Sequence, residues 1–209
     1  MKRALFIDLD NTIYPADSLA DVLFTELFSL IDEELGQTDI SSAQKAKQEL
    51  TRRPFQQIAD EFGFSEELIE KGLKILRNAK VEVPVTPYKA YSQLREVPID
   101  KYLVTKGFTK LQQSKVDMLN IAGDFKKVYI VDQDQSDLTK NDIFQRIMKD
   151  KGYAKEEVLV IGDDLESEIQ AGQELGLETF LFDPEGRYTN ENVTYHARDY
   201  RDVAEIVMK

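Results

Sequence analysis

Four apolar residues, Ala4 to Ile7, run into Asp8, and a short apolar run between polar flanks is the pattern of a buried parallel strand. From Leu19 to Leu35 the apolar positions recur at three- and four-residue steps until Gly36, which predicts an amphipathic helix. A second helix is expected from a cap at Ser41 or Ser42 through Leu50, and a short one over Pro54–Phe62 ended by Gly63. Ser65 is placed to cap a longer helix with Leu68, Ile69, Leu73 and Leu76 on its apolar face. Residues 16 to 84 thus read as a helical block without a strand. Beyond it the pattern alternates. Strands are predicted over Ile99–Val104, Lys127–Val131, Val158–Ile161 and Glu178–Phe182, with a short one over Val193–His196. Helices are predicted over Tyr88–Val97, Lys110–Ile121 with a stop at Gly123, Asn141–Asp150, Leu165–Leu175 and Asp199–Met208. Such alternation implies an α/β fold with a parallel sheet and right-handed crossovers.

Composition narrows the function classes. The 209 residues suit one large domain or a core with an insertion. No apolar run is long enough to span a bilayer, and no signal-peptide pattern opens the chain, so a cytoplasmic protein is expected. There is no Cys, which excludes disulfides, thiolate metal sites and Cys nucleophiles. The net charge of −12 argues against a nucleic-acid polymer as partner. A small anionic substrate in a locally positive pocket remains compatible with it. His196 is the only His, and no Gly-x-Ser-x-Gly elbow accompanies it, so it is expected to be an ordinary surface or packing residue.

The candidate chemistry sits at strand ends. Asp8 falls at the carboxyl end of the first strand, the edge where open α/β sheets bind ligands. Residues i and i+2 of an extended chain share a side, so Asp8 and Asp10 can address one site, and a paired set of carboxylates suits Mg²⁺. Asp10, Asn11 and Thr12 equally suit a turn and helix cap. Thr105 ends the strand before it, Lys140 opens a helix, and Asp163-Asp164 follow Val158–Gly162. Together they place acids, a hydroxyl and an ammonium on one sheet edge.

This set resembles the haloacid dehalogenase-like (HAD) hydrolase superfamily. Its Asp-x-Asp-x-Thr motif matches Asp8, Asp10 and Thr12; its strand-end Thr matches Thr105; its Lys before a helix matches Lys140; its acidic motif matches Gly162-Asp163-Asp164. The resemblance implies a Rossmann-like core over 1–15 and 85–209 and an inserted helical cap over 16–84. Departures are Lys106 where the family often has Asn, Asn141 where it has Pro, and Glu168 where many members have Asp. The run from Asp10 to Pro15 is similar to the branch containing pyrimidine 5′-nucleotidases.

The resemblance implies a Mg²⁺-dependent phosphomonoester hydrolase acting on a small phosphorylated metabolite such as a nucleoside monophosphate, as a monomer or homodimer. Asp8 would be the nucleophile, forming an aspartyl phosphate. Asp8, Asp163 and the backbone carbonyl of Asp10 would hold the metal, with Asp164 acting through water or by orienting the ligands. Thr105 and Lys140 would hold phosphate oxygens, Asp10 would serve as acid and then base, and Thr12 would orient Asp10. An acid at Asp10 favours phosphate chemistry over dehalogenation, which protonates no leaving group. Lys106 is expected near the phosphate, and Arg52, Arg53 and Phe55, at a break between cap helices, are candidates for recognising the leaving group. A phosphotransferase or mutase of the same family would use the same groups. A non-catalytic binding module of this fold would be marked by loss of Asp8 or Asp163, and neither is lost.

Overall fold

The computed structural model describes residues 1–36, 39–51, 53–189 and 192–209. The opening apolar run forms β1 (Ala4–Ile7), buried at every position. It lies at the centre of a six-stranded sheet of order β3-β2-β1-β4-β5-β6. The other strands are β2 (Asp100–Lys106), β3 (Lys127–Val131), β4 (Val158–Gly162), β5 (Glu178–Phe182) and β6 (Tyr195–Ala197). All neighbours pair parallel. The chain builds outward from β1 on one side and then crosses to β4 on the other. The junction of β1 and β4 is therefore the switch point where a ligand crevice opens. Ile7 pairs with Leu103 and Ile161, so Asp8, Thr105 and Asp163 leave the sheet at one edge.

Alternation along the strands divides the core. Leu5, Ile7, Leu103, Leu159 and Ile161 face one side, and Ala4, Phe6, Tyr102, Val104 and Val160 the other. The second face is covered by α8 (Lys140–Lys151) and α9 (Gln170–Glu174) through Ile143, Phe144, Ile147 and Ala171. Phe6 packs on Phe144 with ring centroids 5.1 Å apart. The first face meets α6 (Tyr91–Arg95), α7 (Thr109–Leu119) and α10 (Val203–Met208).

Between β1 and β2 the chain is helical: α1 (Ala20–Leu23), α2 (Thr25–Glu34), α3 (Ile40–Glu49), α4 (Phe55–Phe62) and α5 (Glu66–Asn78). The helix expected over Leu19–Leu35 is broken at Phe24, whose φ of −114° and ψ of 5° leave the helical range. The cap of α3 is Asp39, whose carboxylate accepts the Ser42 N–H at 3.0 Å and its hydroxyl at 2.6 Å; a carboxylate takes both donors at once. Ser65 caps α5 as expected. Helix α7 ends at Asn120, left-handed with φ 53°, before Gly123 is reached. The helix expected from Leu165 begins as a wide π-type turn over Leu165–Ile169, with Ser167 out of helical geometry, before α9. The block is tied to the rest of the chain by Arg77 on α5, whose Nη2 donates to Asp134 in the loop after β3 at 3.2 Å, and by Val81 N–H on Ser114 Oγ of α7 at 2.9 Å.

Candidate active site

The edge above β1 and β4 gathers buried charge. Asp8, Asp163 and Glu168 each offer a carboxylate oxygen within 4.8 Å of the others. Lys140, at the start of α8, donates to Asp8 at 2.6 Å and to Glu168 at 2.6 Å. The capping box of Thr139 and Asp142 fixes that helix start and aims the lysine inward. Glu168 also accepts the Asp164 N–H at 2.9 Å. Its side chain lies against Gly162, where a Cβ would stand 1.9 Å from Oε1; only glycine leaves that room.

Burial drives the electrostatics here. Asp8 is pushed up to about 7 by desolvation, which Lys140 only partly offsets and which Glu168 and Asp10 reinforce. Asp163 is raised well above the usual carboxylate range by burial and by the charges of Glu168 and Asp8. Burial also works against the Lys140 ammonium, but Asp8 and Glu168 outweigh it and raise its pKa. Raised carboxyls on Asp8 and Asp163, converging with the Glu168 carboxylate, mark a site short of positive charge. A hard divalent cation with oxygen ligands fits that deficit.

Asp10 has a separate environment. The chain turns at Asn11, left-handed with φ 55°, and the Asn11 carboxamide accepts the Ala16 N–H at 3.0 Å. One Asp10 oxygen accepts from Lys115 Nζ at 2.8 Å and from the Tyr14 hydroxyl; the other accepts from Gln112 Nε2 at 2.7 Å. Desolvation favours the neutral acid, but Lys115, Tyr14 and Gln112 overcome it and hold Asp10 below the usual range. Gln112 also donates to Thr105 Oγ1 at 2.6 Å, so it ties the ends of β1 and β2 together.

Thr12 behaves differently from expectation. It is fully buried and its hydroxyl reaches Asp163 at 3.5 Å, the outer limit of a hydrogen bond, so it supports that acid and not Asp10. Its carbonyl accepts from the Tyr200 hydroxyl at 2.7 Å, and the Tyr200 ring stacks on Phe182 at 4.4 Å. Asp164 turns its carboxylate to the Glu166 N–H at 2.8 Å, capping the segment behind the site. Lys106 is half-buried at the cavity wall, its ammonium disfavoured by burial and by Lys140.

A cavity of about 750 Å³ extends from these acids to the helical block, with Phe24, Phe55, Leu76 and Phe108 among its walls. Arg53 borders it but is engaged by Glu61 at 2.6 Å. Phe55 is 3% exposed and packs on α5 where Gly72 makes room, so it serves the block's own core. Arg52 lies outside the described residues. The residues missed from sequence are Tyr14, Gln112, Lys115 and, on the loop after β5, Arg187, which donates to Asp163 at 3.2 Å, while Glu168 shows in the sequence only as a departure from the family pattern. The i, i+3 spacing of Gln112 and Lys115 was the available signal for that pair.

Comparison with known proteins bears on this geometry. The model of the haloacid dehalogenase-like hydrolase family matches residues 2–176. Pyrimidine 5′-nucleotidase PynA of Streptococcus pneumoniae is 24% identical over 230 residues, covering 99% of this chain and 95% of its own. The glyceraldehyde 3-phosphate phosphatase of Methanopyrus kandleri is 25% identical over 199 residues, covering 86% and 83%. Among solved structures, the HAD-hydrolase YfnB of Bacillus subtilis, bound to magnesium, superposes with a TM-score of 0.67 at 22% identity, covering 99% of this chain and 98% of that one.

Proposed function

Because the chain belongs to the haloacid dehalogenase-like hydrolase family, we propose that it is a Mg²⁺-dependent phosphomonoester hydrolase working through an aspartyl phosphate on Asp8. A small phosphorylated metabolite is the substrate, with a nucleoside monophosphate first in line, since PynA is named a pyrimidine 5′-nucleotidase. The observation that carries the reading is the convergence of Asp8, Asp163 and Glu168, with Lys140 joining Asp8 to Glu168, at the switch point of the sheet.

Asp8, Asp163 and the Asp10 carbonyl would hold the metal, with Asp164 behind them. When bound, Mg²⁺ neutralises charge on the phosphate oxygens and lowers the repulsion toward an attacking carboxylate. Asp8 attacks phosphorus through a carboxylate oxygen, and the bond to the leaving oxygen breaks in line. Lys140 holds Asp8 in place and, with Thr105 and Lys106, meets the phosphate oxygens. Glu168 fixes Lys140 and keeps its charge. Asp10 gives a proton to the leaving oxygen and then takes one from the water that cleaves the acyl phosphate. Its hold by Lys115, Gln112 and Tyr14 suits the second task, for which it must be ionised. The block over 16–84 acts as a cap, and its cavity-facing side chooses the leaving group.

The test is a panel of phosphorylated metabolites assayed with and without Mg²⁺. Turnover of the best substrate and of a generic aryl phosphate is expected to vanish with a chelator and to fall by more than about a thousandfold in Asp8→Asn. Persistent hydrolysis in Asp8→Asn would sink the mechanism.

A further inference from the structure

The loop from β5 to β6 reaches the same sheet edge as the acids, and its backbone is fixed from beneath. Asp183 is fully buried; it accepts the N–H groups of Arg187 at 2.9 Å and Tyr188 at 3.0 Å and pairs with His196 Nε2 at 3.1 Å. Gly186 is left-handed at φ 70°, and a Cβ there would stand 2.1 Å from the Arg198 guanidinium. The backbone at 187 is thereby held in one place. What stays adjustable is the Arg187 side chain.

That side chain is incompletely satisfied. Its Nη2 donates to Asp163 Oδ2 at 3.2 Å. Its Nε lies 3.8 Å from carboxylate oxygens of Asp183 and Glu185, too far for a hydrogen bond. Among the described residues it is the one buried side-chain nitrogen or oxygen without a hydrogen-bond partner. A buried N–H left unpaired in a native structure calls for an explanation. Arg187 also borders two cavities, the one above the acids and a second of about 800 Å³ lined by Tyr88, Phe28 and Asp17. It therefore has open space to move into when it leaves Asp163.

We infer that Arg187 is a resident counter-ion of Asp163 which competes with the divalent cation for that carboxylate and so weakens the metal site. The inference rests on the reading of Asp163 as a metal ligand. The argument is one of charge. The guanidinium supplies part of the positive charge that the three acids lack. A divalent ion drawn to Asp8 and Asp163 takes over that role and repels the guanidinium beside it. Entry of the metal is thus an exchange of cations at Asp163.

Calorimetric titration of the full-length protein with MgCl₂ or MnCl₂ alone, without substrate, tests this. Arg187→Met is expected to bind metal about tenfold more tightly than wild type, because its competitor is gone. Arg187→Lys, which keeps the charge, is expected to stay nearer to wild type. Asp163→Asn is expected to lose most of the affinity. Equal or weaker binding by Arg187→Met, with wild type binding and Asp163→Asn not, overturns the competition while leaving the metal site standing. Failure of wild type to bind, or indifference of binding to Asp163→Asn, overturns the ligand assignment and the competition with it. Arg187→Gln, uncharged but hydrogen-bonding, replaces Arg187→Met if the latter does not fold, and the same affinities decide.

Discussion

Asp8 and Asp10 stand two positions apart at one strand end, yet their surroundings push them in opposite directions. Asp8 shares its buried space with Asp163 and Glu168 and has one lysine to answer them, so its carboxyl rises to about 7. Asp10 is met by an ammonium, a phenol and a carboxamide and is held below its ordinary value. The difference teaches how one short loop yields two roles. The acid starved of positive charge invites a cation, and the acid saturated with donors is kept ready as a base.

The strongest way to break the contrast is to disturb the Asp8 side from below. Gly162→Ala puts a methyl group where Glu168 lies, driving that carboxylate off Lys140. Leaving a buried charge pair broken is expensive, and turnover is expected to fall by on the order of a hundredfold in a protein that still folds. Near-normal kcat in a folded Gly162→Ala would show that Glu168 is dispensable. On the other side, Lys115→Met removes the charge that holds Asp10 down. The acidic limb of phosphoenzyme breakdown, read by single-turnover decay, is expected to move up by about one pH unit. A limb that stays put would assign the hold on Asp10 to Gln112 and Tyr14.

A gentler probe uses pH. Between the ordinary value of 3.8 and about 7 for Asp8, the folded protein binds more protons than the unfolded chain. The metal-free protein therefore loses stability as pH rises through that window. Metal binding runs the other way, because a ligand must be a carboxylate. Melting curves with chelator and with excess Mg²⁺ are expected to separate as pH rises across the window; convergence would contradict the charge deficit at Asp8. The smallest effect is reserved for a pair outside both environments. Arg53 is engaged by Glu61 on a half-exposed surface, and Arg53→Ala is expected to change kcat/KM by no more than about twofold. A selective loss on the best substrate would restore it as a recognition residue.

The inner strands were legible because they are short apolar runs ending at polar residues, whereas β6, with His196 at its centre, sits at Tyr195–Ala197 and not at the expected 193–196. Lys127–Val131 and Glu178–Phe182 appear with the ends that periodicity predicts. Asp8, Thr105 and Asp163 could be placed on one edge because they end or follow such runs, whereas Lys140 opens a helix after a polar loop and stood out only through the resemblance to a family motif. Glu168 was visible only as a departure from a family pattern, because its inward turn depends on the irregular backbone at Ser167. Gln112 and Lys115 read as helix-surface residues until the register of β1 against β2 brings α7 alongside Asp10. Arg187 lies in a polar loop without periodicity, and its aim is set by Asp183 and Gly186. Long-range partners of this kind have no local signature.

The bond from the Tyr200 hydroxyl to the Thr12 carbonyl has a consequence for biosynthesis. A nascent chain that has emerged as far as Asp183 already contains every motif position, from Asp8 to Asp163. It lacks the aromatic stack of Phe182 and Tyr200, and the turn after Asp8 is missing its lower support. Strand β1 is flanked on both sides by strands made later, and it waits for partners about 100 and 150 residues downstream. Competence therefore waits until Tyr200 has been made and can reach the Thr12 carbonyl. A chain stalled before Tyr200 would carry the full motif set on an unfinished pocket.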